Sequence, residues 1–238
     1  MKECVKVMEE REYQKVIAYL CELVKTGELE IGSKIPTERN LAELLSVGRG
    51  STREALRILE SMGILICRQG SGNYIAGNPS KTVSGMIEMM LLLRQIRKEE
   101  VIQFRRDMEK AICNTIIERG SMERWRGRIE EILAVDTDYQ SLEEQIEADR
   151  KFHYRLILAT ENQLWLCISE AVVDIYQHWI ERVLREAPPE VKRELHQSHM
   201  AMVSALAQGS RAGVEAAIDR HYDLADRELR KTELIGGD

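Results

Sequence analysis

The 238-residue sequence predicts a mainly α-helical protein in two parts, and three observations support this prediction. Apolar residues recur at helical spacing through most of the chain, while aromatic residues make up only 5%. Basic residues are in excess only locally: residues 32–76 hold six Lys/Arg against four Glu, although the formal net charge is -6. All five histidines follow residue 150. The two parts, residues 1–78 and 79–238, therefore carry different chemistry.

The composition predicts a cytoplasmic protein with no membrane partner. The amino-terminal segment lacks a continuous apolar stretch, and the longest apolar run, "MMLLL", is far too short to cross a bilayer. The cysteines are odd in number and widely scattered, which predicts reduced thiols rather than a disulfide framework. They are Cys4, Cys21, Cys67, Cys113 and Cys167.

The first part predicts three helices. The first covers about residues 9–25, where apolar residues recur at helical spacing. Thr37 is a suitable N-cap for a short second helix ending at Leu45, because its hydroxyl can accept from exposed backbone N–H groups. The sequence "SVG" breaks that helix, and a third spans residues 49–62 and ends before Gly63.

A β-hairpin is predicted directly after the third helix. Two short β-prone runs, residues 64–67 and 73–76, flank the turn sequence "RQGSG". Three helices followed by a hairpin, with a tight turn between the second and third helices, predict a winged helix-turn-helix. This is an α+β fold that binds double-stranded DNA.

Arginines mark one face of the predicted fold. The start of the third helix of such a fold enters the major groove, and Arg49 and Arg53 share one exposed face there. Arg39, in the first turn of the second helix, is expected over a phosphate. Arg57 is expected at the DNA backbone or in a pair with Glu54. The alternative is an ordinary solvated helix face.

This stretch resembles the GntR family of bacterial transcription regulators. The resemblance runs through "GELEIGSKIPTERNLAELLSVGRGSTREALRILESMGILICRQGSGNYIAG". Gly48 stands where the family usually has Ser, and Gly50 and Ser51 precede Thr52, so the operator sequence is not transferable from relatives. The resemblance implies principal DNA contacts by the arginines, a backbone contact by Thr52 and a wing tip at Gly72. The expected DNA-binding residues are Arg39, Arg49, Ser51, Thr52, Arg53 and Gly72.

The second part predicts an all-α antiparallel helical bundle. After the linker "AGNPSKT", apolar residues repeat with the helical period almost to the end of the chain. The predicted helices cover residues 82–96, 98–119, 121–134, 140–159, 162–186, 189–208 and 211–232.

Acidic and histidine residues interrupt the inward apolar stripes of three of these helices. Asp149 and His153 are one turn apart on one stripe, His199 lies on a second and His221 on a third. A buried carboxylate and buried imidazoles need partners, and one divalent cation satisfies all four. Oxygen and nitrogen ligands suit zinc, which we expect first, or nickel, manganese or iron. The alternative for each residue is a hydrogen-bonded core position.

Arg105 is a further charged residue at a position expected to be buried. It shares an apolar helix face with Val101, Phe104, Met108 and Ile112. A buried guanidinium needs a bidentate carboxylate. Two sources remain open, namely Glu109 one turn further along the helix and a bound organic acid. His196, one turn before His199, either touches such an effector or is exposed. We therefore predict an effector site that includes Arg105, Glu109 and His196.

These positions resemble the FCD-type helical effector domain of the FadR subfamily of GntR regulators. The matching motifs read "RRDME", "DRKFH", "HMAMVSALAQG" and "RHY", within residues 98–230. The resemblance implies that Arg105 helps to hold a small carboxylate resting on a metal. It implies that the metal is bound by Asp149, His153, His199 and His221.

Together the two parts predict a homodimeric transcription regulator. It is expected to bind a palindromic operator, with affinity controlled by a small organic acid at the metal site. Two alternatives remain open, a metal-dependent hydrolase or lyase and a regulator that senses the metal itself. No convincing general base or nucleophile accompanies the cluster, so we predict that the protein is not an enzyme.

Overall fold

The computed structural model describes residues 11–119 and 141–235, with side chains up to residue 231. The chain divides into two compact units, Met1–Thr82 and Val83–Asp238, which are treated separately below. The helix predicted for residues 121–134 lies outside the described residues.

Between residues 11 and 79, unit 1 contains three helices and a two-stranded antiparallel sheet. Residue Leu65 pairs with Ile75 and Arg68 with Gly72, which sets the register of the hairpin. The predicted order of three helices followed by a hairpin is confirmed. The elements are α1 (Glu12–Lys25), α2 (Glu38–Leu45), α3 (Arg49–Ser61), β1 (Leu65–Arg68) and β2 (Gly72–Ile75).

Local signals place the ends of these helices. The Thr37 hydroxyl accepts from the backbone N–H of Asn40 at 3.2 Å and caps α2, as predicted. Gly63 follows α3 with φ of +69°, and a Cβ there would lie 2.9 Å from Thr82 Oγ1 and 3.2 Å from Pro79 Cα. Only glycine therefore fits this turn. The helices enclose an apolar core that includes Val16, Leu20, Leu41, Ala55, Leu56, Leu59 and Leu65.

Unit 2 is helical throughout its described residues. Helix α9 packs along α8 and also contacts α5 and α7, while α6 packs on α7. Within the described part of the chain, none of the helices combines the length and apolar character needed to span a bilayer. The helices are α4 (Ser80–Leu92), α5 (Lys98–Glu118), α6 (Leu142–Ala159), α7 (Gln163–Glu186), α8 (Pro189–Ala207) and α9 (Arg211–Ile235).

The buried face of α5 differs from the prediction at one position. Phe104, expected to face inward, is 52% exposed. Ile102, Glu109 and Cys113 are buried instead, which turns the inward face of the helix away from Phe104. Arg105 lies on this inward face and is only 3% exposed.

Candidate metal centre and nucleic-acid interface

Four buried side chains from three helices of unit 2 meet at one point. Asp149 and His153 lie one turn apart on α6, His199 lies on α8 and His221 on α9. Each offers one ligand atom, and these atoms all lie within 4.8 Å of one another. The structure thus brings together all four residues that the sequence singled out for a metal.

Hydrogen bonds to the far side of two imidazoles set which nitrogen faces the cluster. His153 Nδ1 lies 2.7 Å from Glu109 Oε2. Because an ionised carboxylate can only accept a hydrogen bond, Nδ1 is the protonated nitrogen. Ser198 donates its hydroxyl proton to the Leu195 carbonyl at 2.5 Å, so its oxygen accepts from His221 Nδ1 at 2.9 Å. Both imidazoles therefore present the lone pair of Nε2 to the centre.

Among the described residues, the facing nitrogens lack hydrogen-bond partners. The Nε2 atoms of His153, His199 and His221 are buried, and none has a hydrogen-bond partner among the described residues. Asp149 Oδ1 lies 3.9 Å from His153 Nε2 and 3.6 Å from His199 Nε2, beyond hydrogen-bond range. Tetrahedral ligand atoms at about 2.1 Å from an ion are about 3.4 Å apart. The donor set therefore fits a divalent metal.

Burial keeps the imidazoles of His199 and His221 neutral, the form that a metal requires. Desolvation, followed by repulsion from neighbouring imidazoles, holds the pKa of His199 well below its usual range. Desolvation likewise lowers the pKa of His221 to about 3. Burial raises the pKa of Asp149, and the charge of Glu109 adds to this effect. A cation at the centre offsets the cost of the Asp149 carboxylate.

Arg105 lies beside this cluster without the carboxylate partner considered above. Its guanidinium carbon lies 4.7 Å from the centroid of the Tyr176 ring, and its buried Nε has no hydrogen-bond partner among the described residues. Glu109 Oε2 accepts from Tyr222 at 3.0 Å and from His153, and the described residues include no Arg105–Glu109 ion pair within 4 Å. The internal pair is therefore not formed. Glu109 is engaged instead by His153 and Tyr222.

We predict that Glu109→Gln weakens metal binding about 10–100-fold. The amide oxygen can still accept from His153 Nδ1, but the loss of negative charge makes the imidazole less basic. Zinc affinity measured by competition with a chromophoric chelator checks this. Glu118→Gln, an exposed change on the same helix, is the control. Equal affinities for the wild type and Glu109→Gln would contradict the assignment.

A cavity of about 540 Å³ opens beside the cluster and reaches two of its residues, Asp149 and His199. His196 lines it and is half-buried, and burial lowers the pKa of this imidazole. Arg105 does not line this cavity. The lining residues are Gln145, Ala148, Asp149, Phe152, Leu184, Pro189, Lys192, Arg193, Leu195, His196, Gln197, His199, Met200 and Val203.

In unit 1, the predicted DNA-binding arginines are exposed. Arg53 Nε donates to Glu38 Oε2 at 2.7 Å, and Arg39 Nε donates to Glu43 Oε1 at 2.8 Å. Arg49, in the first turn of α3, forms no ion pair with any of the described residues. The pair anticipated between Arg57 and Glu54 is likewise absent from the described ion pairs. The α3 face thus presents guanidinium groups to solvent.

A contact from α1 supports the start of α3. The Glu12 carboxylate accepts from the Gly48 backbone N–H at 3.0 Å and from the Ser51 hydroxyl at 2.7 Å. These two hydrogen bonds, Ser51 first, lower the pKa of Glu12. Glu12 therefore accepts from the backbone N–H of the N-cap residue, as the acidic residue of a capping box does, and places a negative charge at the start of α3. Sequence reasoning missed it because 36 residues separate Glu12 from Gly48.

Thr52 differs from the sequence expectation. It is fully buried, and its hydroxyl donates to the Gly48 carbonyl oxygen at 3.1 Å. A side chain enclosed by the core of unit 1 has no access to a DNA phosphate, so Thr52 is a packing residue rather than a backbone contact. Ser51 is half-exposed, but its hydroxyl is engaged by Glu12.

Gly72 begins β2 at the tip of the hairpin. Its φ is +116°, and a Cβ would lie 3.1 Å from Lys34 Cε. An L-residue is therefore strained at this position, while the glycine backbone is exposed. This geometry suits close approach of the main chain to a groove of DNA.

A winged helix-turn-helix with exposed arginines on its third helix, joined to a helical unit with a buried ligand cluster, defines a DNA-binding transcription regulator. The chain belongs to the GntR family and contains an FCD domain. The family model described as "Bacterial regulatory proteins, gntR family" matches residues 12–75, and that described as "FCD domain" matches residues 100–224. The predicted family and fold class are confirmed.

Named relatives support this assignment. The chain is 27% identical over 206 residues to "HTH-type transcriptional regulator LutR" of Bacillus subtilis (strain 168), covering 84% of this chain and 92% of that protein. It is 26% identical to "Putative L-lactate dehydrogenase operon regulatory protein" of Escherichia coli (strain K12), covering 88% and 83%. A solved structure, "Streptococcus agalactiae GntR", shares the fold with a TM-score of 0.63 and 21% identity, covering 90% of this chain and 99% of that one.

Proposed function

We propose that this regulator senses a small organic acid that binds at a metal ion in the helical unit. The observation that carries the proposal is the set of three buried Nε2 atoms that have no partner in the described part of the chain, beside a buried carboxylate. Asp149, His153, His199 and His221 would hold the ion, and zinc suits their nitrogen and oxygen ligands best. When bound, the ion supplies a Lewis-acidic point that attracts a carboxylate oxygen.

Arg105 is the second element of the proposed acid site. Its buried Nε lacks a partner among the described residues. Its positive charge acts to lower the pKa of Asp149, against the larger effect of burial. A carboxylate beside the metal would satisfy this orphaned donor with a charge-assisted hydrogen bond. His196, which lines the adjacent cavity, is proposed to contact the same acid. Glu109 is proposed to act through His153 only.

The chemical class of the effector is supported by the relatives' names. One relative is described as a putative regulator of an L-lactate dehydrogenase operon, and another, 23% identical, as "Glc operon transcriptional activator". A three-carbon hydroxy acid offers a carboxylate and a neighbouring hydroxyl, a pair suited to a metal and a guanidinium together. L-Lactate is therefore the first effector to test.

On the DNA side, we propose that a homodimer binds a palindromic operator, one winged helix to each half-site. Arg49 and Arg53 would read bases in the major groove, and Arg39 would contact a phosphate. Ser51 would lie at the same helix start, and Gly72 would approach the minor groove. The acid would shift the population between dimer arrangements, because it binds one of them more tightly than the other.

Thermal-shift measurements test the acid site. We expect L-lactate, well above its dissociation constant, to raise the melting temperature of zinc-loaded wild type by a few degrees. Metal-stripped protein and zinc-loaded Arg105→Gln should not respond. Lactamide, a neutral isostere, is the ligand control. Stabilisation of the metal-stripped protein, or an undiminished response by Arg105→Gln, would contradict the proposal.

A regulator that senses the metal itself is the second candidate. One observation favours it, since the cluster offers a complete set of four ligands without any effector. Operator affinity measured with zinc alone separates the two functions. A large change with zinc and no further change with acids would favour metal sensing.

A further inference from the structure

The cavity beside the four candidate metal ligands is larger than a three-carbon acid requires. Its volume of about 540 Å³ lies within the usual range for sites that enclose much larger ligands. Asp149 and His199 mark one region of it, so a metal-bound acid would project into the remaining space. The chemistry of that space therefore bears on which acids fit.

The cavity changes character along α8. Apolar side chains form much of its wall, including Phe152, Leu184 and Val203. Lys192 and Arg193 also line it, two helical turns before the metal-cluster residue on α8, which places them about 10 Å along the helix axis. The cavity thus has a metal region and a cationic region, with apolar wall around them.

The two cations are not equivalent. Arg193 is exposed and is held by Glu190 at 3.2 Å. Lys192 is half-buried and forms no ion pair with any of the described residues. A lysine that lines a partly apolar cavity and pairs with no carboxylate of the described residues favours an anionic group in that cavity.

We propose that this cavity binds acids with two anionic groups more tightly than acids with one: the first group binds at the metal, and the second binds at Lys192 with support from Arg193. The preferred ligands are therefore dicarboxylic acids whose carboxylates are separated by a short apolar chain. This inference rests on the proposed function for the first carboxylate. It adds a specificity-determining residue and a second subsite to that function.

Isothermal titration of the zinc-loaded full chain tests the inference. The probes are succinate, glutarate and adipate, each compared with the monocarboxylate of the same chain length, namely butyrate, valerate and caproate. We expect at least one dicarboxylate to bind about tenfold more tightly than its monocarboxylate. Lys192→Met keeps a side chain of similar length but removes the ammonium group. It should abolish the dicarboxylate advantage, with monocarboxylate affinity unchanged. Lys151→Met, an exposed change on α6, should behave as wild type.

The outcomes separate the two proposals. If monocarboxylates bind and no dicarboxylate binds better, the second subsite is wrong and the acid-sensing function stands. If the dicarboxylate advantage persists in Lys192→Met, the role of Lys192 is wrong. If neither class binds zinc-loaded wild type but L-lactate does, the second subsite is wrong and the acid-sensing function stands; if L-lactate also fails to bind, both are wrong.

Discussion

Arg53→Ala is expected to abolish operator binding while leaving unit 1 folded. Arg53 lies on the exposed face of α3, so its removal leaves no cavity in the core. A lost base contact costs about 1–3 kcal/mol, and a two-fold dimer loses it twice, which corresponds to about 30-fold or more in affinity. The change also leaves the Glu38 carboxylate, now unpaired, close to the expected phosphate backbone. A gel-shift titration at fixed salt measures the loss.

Two further variants show whether the loss is specific to Arg53. Arg230→Ala removes an arginine of similar exposure, also held by an acidic partner, from unit 2 and should retain wild-type affinity. Glu38→Gln keeps an acceptor for Arg53 Nε and removes one negative charge, so it should bind all DNA somewhat more tightly. Wild-type affinity in Arg53→Ala, with circular dichroism unchanged, would exclude Arg53 from the DNA interface.

Asp149→Asn is expected to separate metal binding from folding. Without metal, the variant should melt at or above the wild-type temperature, because burial and the nearby Glu109 charge disfavour the Asp149 carboxylate. With zinc at about 100 times its dissociation constant, wild type should gain about 2.7 kcal/mol, or about 5–10 °C. The variant should gain little, because an amide is a poor metal ligand.

Thermal melting with and without zinc measures both effects. Glu147→Gln removes a carboxylate from the same helix, where it is paired with Arg150 and Lys151 at the surface, and should keep the full response to zinc. If Asp149→Asn keeps the wild-type gain with zinc, Asp149 is not a ligand. If the metal-free variant is strongly destabilised, the carboxylate has a structural partner that outweighs its desolvation.

Helix positions followed from local signals. The apolar period, the Thr37 cap and the glycine at the end of α3 act over one or two turns. They therefore predict the helix positions without any tertiary contact. Positions on the inner and outer faces were harder to assign. Phe104 was expected inside and Thr52 on the surface, and packing against neighbouring elements reversed both assignments.

The four candidate metal ligands also followed from the sequence, because Asp and His rarely occupy positions on the apolar stripe of a helix. Their supporting partners did not. Glu109 precedes His153 by 44 residues and Ser198 precedes His221 by 23, and each pair forms a buried hydrogen bond between different helices. Nothing in local spacing distinguishes Ser198 from other serines, and local spacing offers Glu109 only Arg105, one turn away, as a partner.

The sequence by itself determined the order of secondary structure and the four candidate metal ligands, because these depend on short-range periodicity and on residue type, and its motifs carried the resemblance to the family. The tertiary structure decided which imidazole nitrogen faces the cluster, which carboxylate binds the start of α3 and which cations line the cavity. These features depend on atoms that are distant in the chain and brought within a few ångströms by packing. Sequence pattern carries no distance information of that kind.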